Sequence, residues 1–150
     1  MTDAVIRPAK ADDAPRLQAI ARSAYAGYTA RLGREPAPMS ADYAAAIAAG
    51  HAVLIERNGK IAGYLIGRRE EDSYFIENVA VDPACQRLGL GGALLRHAIA
   101  EARRLKLSSL WLFTNVAMTE NRAMYAHLGF VENHRAVEHG YDRVYMRLSL

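Results

Sequence analysis

The sequence predicts an α/β protein, a mixed β-sheet covered by helices in the order βααβββαβαββ. Three observations carry this. Apolar residues recur at helical spacing in the first third, the middle holds apolar runs joined by an Asn-Gly pair, and helix and strand patterns alternate after a glycine-rich turn. The 150 residues are 51% hydrophobic and 23% charged, the size and balance of one globular domain spanning 1–150. No apolar run approaches the ~20 residues of a membrane-spanning helix. The start, Met1 to Pro8, has no basic stretch leading into an apolar one, so no signal peptide is expected. Cys85 is the single cysteine and cannot form an internal disulfide, which points to the reducing cytoplasm.

Taken in order, Ala4 to Pro8 reads as a short strand. Asp12 and Asp13 offer an N-cap, with Pro15 in the first turn. Ile20, Ala21, Ala24, Tyr25 and Tyr28 then follow Leu17 at steps of 3, 4, 7, 8 and 11, marking one helical face. The stretch from Leu32 to Met39 breaks the helix, and Ser40 caps a second, alanine-rich helix stopping at Gly50. His51–Glu56 and Lys60–Arg68 form a hairpin around Asn58-Gly59. Tyr74 to Val81 is the next strand, and Gly89 opens a helix to about Leu105. Leu90, Leu94, Ala98, Ala102 and Leu105 form its buried stripe, with Arg96, Glu101, Arg103 and Arg104 towards solvent. Ser109–Thr114 is a strand and Thr119–Leu128 a helix ended by Gly129. Two last strands, Phe130–Glu138 and Tyr141–Leu148, join at His139-Gly140.

Nineteen basic against sixteen acidic residues give +3. The basic residues are scattered, with no run longer than two, which argues against nucleic-acid binding. The bias suits an anionic small ligand. The five histidines and Cys85 show no metal-ligand spacing, and Cys85 reads as a small loop residue.

The sharpest signal runs from Asn78 to Ala93, where a strand feeds a turn, glycines and a helix start. A helix N-terminus presents unpaired N–H groups, glycines let a ligand approach the backbone, and Arg87 adds a full charge: together a phosphate site. A glycine-rich loop that merely packs tightly is the alternative. A P-loop requires Gly-Lys-Ser/Thr, absent here. A dinucleotide fingerprint requires a third glycine where Leu94 stands, and an acidic residue the next strand lacks. Gln86-Arg87-Leu88-Gly89-Leu90-Gly91 fits Q/R-x-x-G-x-G/A and resembles the acyl-CoA pyrophosphate loop of the GNAT N-acetyltransferases. Ile76 to Pro83 resembles that family's fourth strand, Asn121 to Phe130 its closing helix, and Ile6-Arg7-Pro8-Ala9 with Asp12-Asp13-Ala14 its opening.

The resemblance implies a GNAT-like acyl-CoA N-acyltransferase fold. It implies acetyl-CoA as the acyl-donor cosubstrate, no metal, and transfer to a primary amine of a small molecule or peptide by direct attack in a ternary complex. No nucleic-acid or membrane partner is implied, and a homodimer stays open. Backbone N–H groups of Arg87, Leu88, Gly89, Leu90, Gly91 and Gly92 would cradle the pyrophosphate. Val79, Ala80 and Val81 would pair with the pantetheine arm, with an oxyanion donor near Ala80. Asn121 or Asn115 would bond the pantetheine or phosphate region; the family often has asparagine where this chain has Met118. Tyr125, four residues before Gly129-Phe130, would protonate the leaving thiolate. Glu77, or ordered water, would take the amine proton; a solvated ion pair is the other reading of Glu77. Tyr25, Tyr28, Arg31 and Met39 fall where the acceptor would bind, with Pro36 and Pro38 stiffening the loop and Arg31 able to clamp a carboxylate. Core tyrosines and a solvated arginine are the alternative there. A non-catalytic acyl-CoA-binding sensor on the same fold is the rival function.

Overall fold

The computed structural model describes residues 4–33 and 37–150, the side chains of Arg31 and Ser40 excepted. Its elements are β1 (Ala4–Pro8), α1 (Ala14–Tyr25), α2 (Thr29–Leu32), α3 (Tyr43–Ala48), β2 (Ala52–Arg57), β3 (Lys60–Glu70) and β4 (Ser73–Val81). Then follow α4 (Leu90–Arg104), β5 (Ser109–Asn115), α5 (Thr119–His127), β6 (Val131–Glu138) and β7 (Tyr141–Ser149). The expected order returns with one helix more. The apolar face predicted to run to Tyr28 leaves α-helical geometry at Tyr25, tightens into a 3₁₀ turn over Ala26–Tyr28, and resumes as α2 up to Gly33. Gly27, a weak helix former, lies in that turn.

The second expected helix is shorter than its alanines suggest. Ser40 belongs to a 3₁₀ turn, Ala37–Ser40, and the cap is Asp42 instead. Asp42 is extended (φ −87°, ψ 91°), and its carboxylate accepts from the Ala45 N–H at 3.0 Å. Both expected hairpins form on residues with positive φ: Asn58 (53°) with Gly59 (77°), and His139 (53°) with Gly140 (79°).

The sheet order is β1-β2-β3-β4-β5-β7-β6. Every neighbouring pair is antiparallel except β4 and β5, which α4 connects. That parallel pair is registered only from Ser73–Ile76 against Ser109–Leu112. Beyond it the two strands part. On its other side β4 carries a bulge: Ile66 faces Asn78 and Gly67 faces Ile76, so Glu77 has no partner. A bulge bends its strand and sharpens the local twist, which opens the seam from Glu77 onwards.

One face of the sheet packs α4: Leu94, Leu95, Ala98 and Ala102 meet Leu110, Leu112, Val144 and Met146. The other packs α1, whose Leu17, Ile20 and Ala21 meet Leu54, Tyr64 and Ile66. Each such aliphatic side chain contributes roughly 1.5–3 kcal/mol on burial. The two layers hold β4 between them while leaving its edge towards β5 free.

Candidate active site

The parted seam between β4 and β5 leads into a cavity of about 510 Å³. Its walls include Glu77, Asn78 and Val79 of β4, Phe113 and Asn115 of β5, Asn121 and Tyr125 of α5, and Tyr25 at the end of α1. From this cavity β4 runs on through Val81 to the glycine-rich turn and the start of α4.

That turn is built to face an anion. Arg87 (φ 65°) and Gly89 (φ 79°) both take left-handed backbone, the alternation that turns successive N–H groups to one side. The first bond of α4 joins the Ala93 N–H to the Gly89 carbonyl at 3.0 Å. The N–H groups of Leu90, Gly91 and Gly92 therefore have no intrahelical partner. Arg87, Leu88 and Gly89 are exposed, whereas the Leu90 side chain is buried in the core, so Leu90 offers only backbone. One detail differs from the sequence reading. A Cβ on Gly91 would meet Met124 Sδ at 3.3 Å and Val81 at 3.7 Å, so this glycine serves the packing of α4 on α5 rather than a ligand's approach. A Cβ on Gly92 would lie 3.1 Å from an Arg96 guanidinium nitrogen. Arg96 is exposed, on the solvent face that periodicity predicts, and its side chain reaches back over the helix start, adding a second cation there. The residues present fit a pyrophosphate: free N–H donors, the helix dipole and two arginines.

Alternation fixes which backbone groups of β4 reach the open seam. The Asp82 N–H bonds to the Ala62 carbonyl on β3 at 2.7 Å. Counting back by two, Ala80 and Asn78 also turn towards β3, while Val79 and Val81 turn to the free edge. The donor expected near Ala80 is then the N–H of Val79 or Val81, and Ala80 itself pairs within the sheet. The Val79 carbonyl receives the Tyr25 hydroxyl at 2.9 Å.

Tyr125 is buried against Phe130 and lines the cavity. Burial, with a smaller contribution from Tyr28, pushes its phenol well above the ordinary value. Glu77 is exposed at the bulge and pairs with Arg68 of β3 at 3.4 Å. Asn115 spends its side-chain oxygen on the Ala117 N–H at 2.9 Å, shaping the turn into α5. Asn121, in the first turn of α5, lines the cavity with its amide against Met118. The acceptor residues divide. Tyr25 is in the wall, whereas Tyr28 donates to Glu120 at 3.0 Å and Met39 packs against the second core, both off the cavity surface. Pro38 lines it. Pro36 lies outside the described residues, as does the side chain of Arg31.

Two features have no counterpart in the sequence reading. Asn78 is the hub of a buried network: its amide donates to the Tyr43 hydroxyl at 2.8 Å, and its oxygen accepts from Tyr64 at 3.1 Å. The Tyr43 and Tyr64 hydroxyls lie 2.8 Å apart, and the Tyr43 hydroxyl lies 2.6 Å from the Pro38 carbonyl, so its single proton serves one of these two contacts at a time. The network ties α3 and the loop before it to the bulged strand. The second feature is a pair of arginines, Arg68 and Arg143, on the cavity wall, each set over a phenylalanine ring. Scattered basic residues on β3 and β7 carry no spacing signal that would pair them.

Among the described residues no group of three His, Cys, Asp or Glu side chains is placed to hold a metal, and no helix is long and apolar enough to cross a membrane. The family model of the Acetyltransferase (GNAT) family matches residues 17–130. The chain is 40% identical over 78 residues to the ribosomal protein bS18-alanine N-acetyltransferase of Escherichia coli (strain K12), covering 52% of this chain and 53% of that one. Its counterpart in Salmonella typhimurium is 37% identical over 73 residues, 49% of either chain. The matched stretch thus spans about half the length of these curated relatives. The crystal structure of the Escherichia coli alanine N-acetyltransferase superposes with a TM-score of 0.77 at 26% identity, covering 97% of this chain and 93% of that one. A PaiA N-acetyltransferase from Thermoplasma acidophilum in complex with coenzyme A gives 0.83 at 14% identity over 99% of both, a likeness of fold alone.

Proposed function

The chain belongs to the Acetyltransferase (GNAT) family, and from that premise we propose that it is an acetyl-CoA-dependent N-acetyltransferase acting on a primary amine by direct attack. One observation carries the reading: β4 joins, in a single strand, an anion-binding helix start to an open edge that ends beside a buried tyrosine. Acetyl-CoA would supply a thioester carbonyl as the electrophile.

The protein's own groups would do the rest. The N–H groups from Arg87 to Gly92, with Arg87 and Arg96, hold a pyrophosphate. The open edge at Val79 and Val81 takes an extended arm as an added strand, and the Val79 N–H stands where a carbonyl oxygen gains charge. Asn121 steadies the arm. Tyr125 rests as a neutral phenol, because burial disfavours the phenolate, and would give up its proton only as the C–S bond breaks and the sulfur gains charge. Glu77, at the bulge and open to solvent, takes the amine proton directly or through water.

The acceptor is an amine of a small molecule or of a peptide; the curated relatives are named for the alanine of a ribosomal protein. The lone cysteine and the absence of a spanning helix among the described residues are in keeping with a cytoplasmic enzyme. The test is amine-dependent release of the CoA thiol, with acetylated product identified by mass spectrometry. CoA binding without turnover on any amine would instead make the chain an acyl-CoA sensor.

A further inference from the structure

Arg143 stands near the start of β7, in the wall of the same cavity as Glu77 and Tyr125. Its side chain is only 17% exposed. The guanidinium lies 4.3 Å over the Phe113 ring and 5.7 Å from the centre of Tyr141. Its one ion pair among the described residues is to Glu138 at 3.4 Å, and the oxygen it meets also takes the Tyr145 hydroxyl. A guanidinium has five N–H donors; Glu138 and the neighbouring Tyr145 hydroxyl answer part of the fork and leave the rest unmatched.

Arg68 makes the contrast. It shares the cavity wall, but two carboxylates answer it, Glu70 at 3.3 Å and Glu77 at 3.4 Å. Arg143 is the more buried of the two and has one carboxylate partner where Arg68 has two. Among the described residues only Arg57 Nε is buried without a partner, so the unmatched N–H groups of Arg143 stay within reach of water or of a ligand's acceptor. The rings of Phe113 and Tyr141 hold the plane of the guanidinium and cannot accept at its edge. The side left open is the cavity, whose volume suits a small molecule.

We propose that Arg143 is a specificity-determining residue that grips a carboxylate of the acceptor, and that the substrates are small amino acids. The planar guanidinium fork matches a carboxylate in two parallel bonds, which an ammonium would not. This rests on the acetyl-transfer reading and narrows it. In the reaction the amine nitrogen bonds to the acetyl carbon and the C–S bond breaks. One proton leaves the nitrogen for Glu77 or water, and one passes from Tyr125 to the sulfur. The carboxylate takes no part in these steps and only fixes the position of the amine.

The test compares matched acceptors on the full chain: free amino acids, their carboxamides, and a peptide with an N-terminal alanine, followed by CoA thiol release. Amino acids are expected to exceed their amides by ~10-fold or more in kcat/KM, mostly through KM. In Arg143→Gln the ratio of acid to amide should fall towards one, and Arg143→Lys should recover only part of it. Circular dichroism and acetyl-CoA affinity report whether the variants fold. Amides or the peptide serving wild type as well as the free acids would overturn the carboxylate grip while leaving acetyl transfer intact. An unchanged acid-to-amide ratio in a folded Arg143→Gln overturns it equally. No amine-dependent thiol release from any acceptor brings down both readings together.

Discussion

In the proposed reaction Tyr125 gives its proton to the departing sulfur. Burial raises its pKa above the usual 10.0, which keeps the phenol neutral at rest and makes it a weaker acid, so its proton moves only as the C–S bond breaks and the sulfur gains charge. Tyr125→Phe removes one oxygen and keeps the ring against Phe130. Single-turnover acetyl transfer should slow about 10²-fold, close to 3 kcal/mol, with acetyl-CoA affinity little changed. An activated thioester with a more acidic thiol should regain part of the rate; a Phe variant as fast as wild type would make Tyr125 a packing residue. Glu77 stands differently, exposed at a bulge with Arg68 beside it. Glu77→Gln should lower kcat/KM by roughly 10²-fold and alter the acid side of the pH–rate profile. A wild-type profile would assign proton removal to water. Tyr125 was legible from its place before Gly129-Phe130. Which way Glu77 faces was not, because strand alternation fails at a bulge and no residue type announces one.

At the scale of elements, the start of α4 does two jobs at once. Its unpaired N–H groups face outwards, while Leu90 and Gly91 pack inwards against the core and Met124. Gly92→Asp separates these jobs. An acidic residue in the first helical turn is favourable for the helix, and its carboxylate would reach the Arg96 guanidinium that lies 3.1 Å from the added Cβ. It would then hold the anion site with an internal anion. Calorimetry should show acetyl-CoA affinity lower by at least ~10-fold, ~1.4 kcal/mol, with the melting temperature unchanged or higher. Affinity equal to wild type would place the pyrophosphate elsewhere. The cap of α3 belongs to the same scale: Asp42→Ala removes the acceptor for the Ala45 N–H and should cost ~1 kcal/mol in a urea melt. Periodicity found α4 to within a residue at each end. It misplaced the cap of α3 because Ser40 and Asp42 are equally good caps by type, and the 3₁₀ turn that takes up Ser40 leaves no periodic trace.

Across the whole molecule, distant chain segments are joined by charges near the rim of the sheet. Arg7 of β1 holds Asp13 before α1 at 2.9 Å, and Arg16 of α1 holds Asp82 after β4 at 2.6 Å. The Arg7 hydrogen bond lowers the Asp13 pKa below its usual 3.8, and the Ala84 N–H, with Arg16 adding to it, does the same for Asp82. A carboxylate whose pKa is depressed on folding contributes stability above its unfolded value, and that contribution is lost as pH falls through the lower folded value. Stability should therefore drop below about pH 4, where unfolded aspartates take up protons. Melts of Asp13→Asn with Asp82→Asn should show a flatter acid limb than wild type; an identical limb would remove these pairs from the acid response.

Local patterns in the sequence carry the order of elements save one short helix, both expected hairpins, the glycine-rich turn and the tyrosine proposed as the acid. Each is a local property: a period of 3.6 or 2, an Asn-Gly pair, glycines before a helix, a tyrosine at a fixed distance from a helix end. Only packing across the fold produces the parting of β4 from β5, the Asn78–Tyr43–Tyr64 network, and the meeting of Arg68 and Arg143 in one cavity wall. These join residues far apart in the chain through sheet register and a bulge. A one-residue shift in register reverses which face a side chain takes, and that shift is fixed by the packing of α1 and α4 on opposite faces of the sheet, not by any pattern within β4.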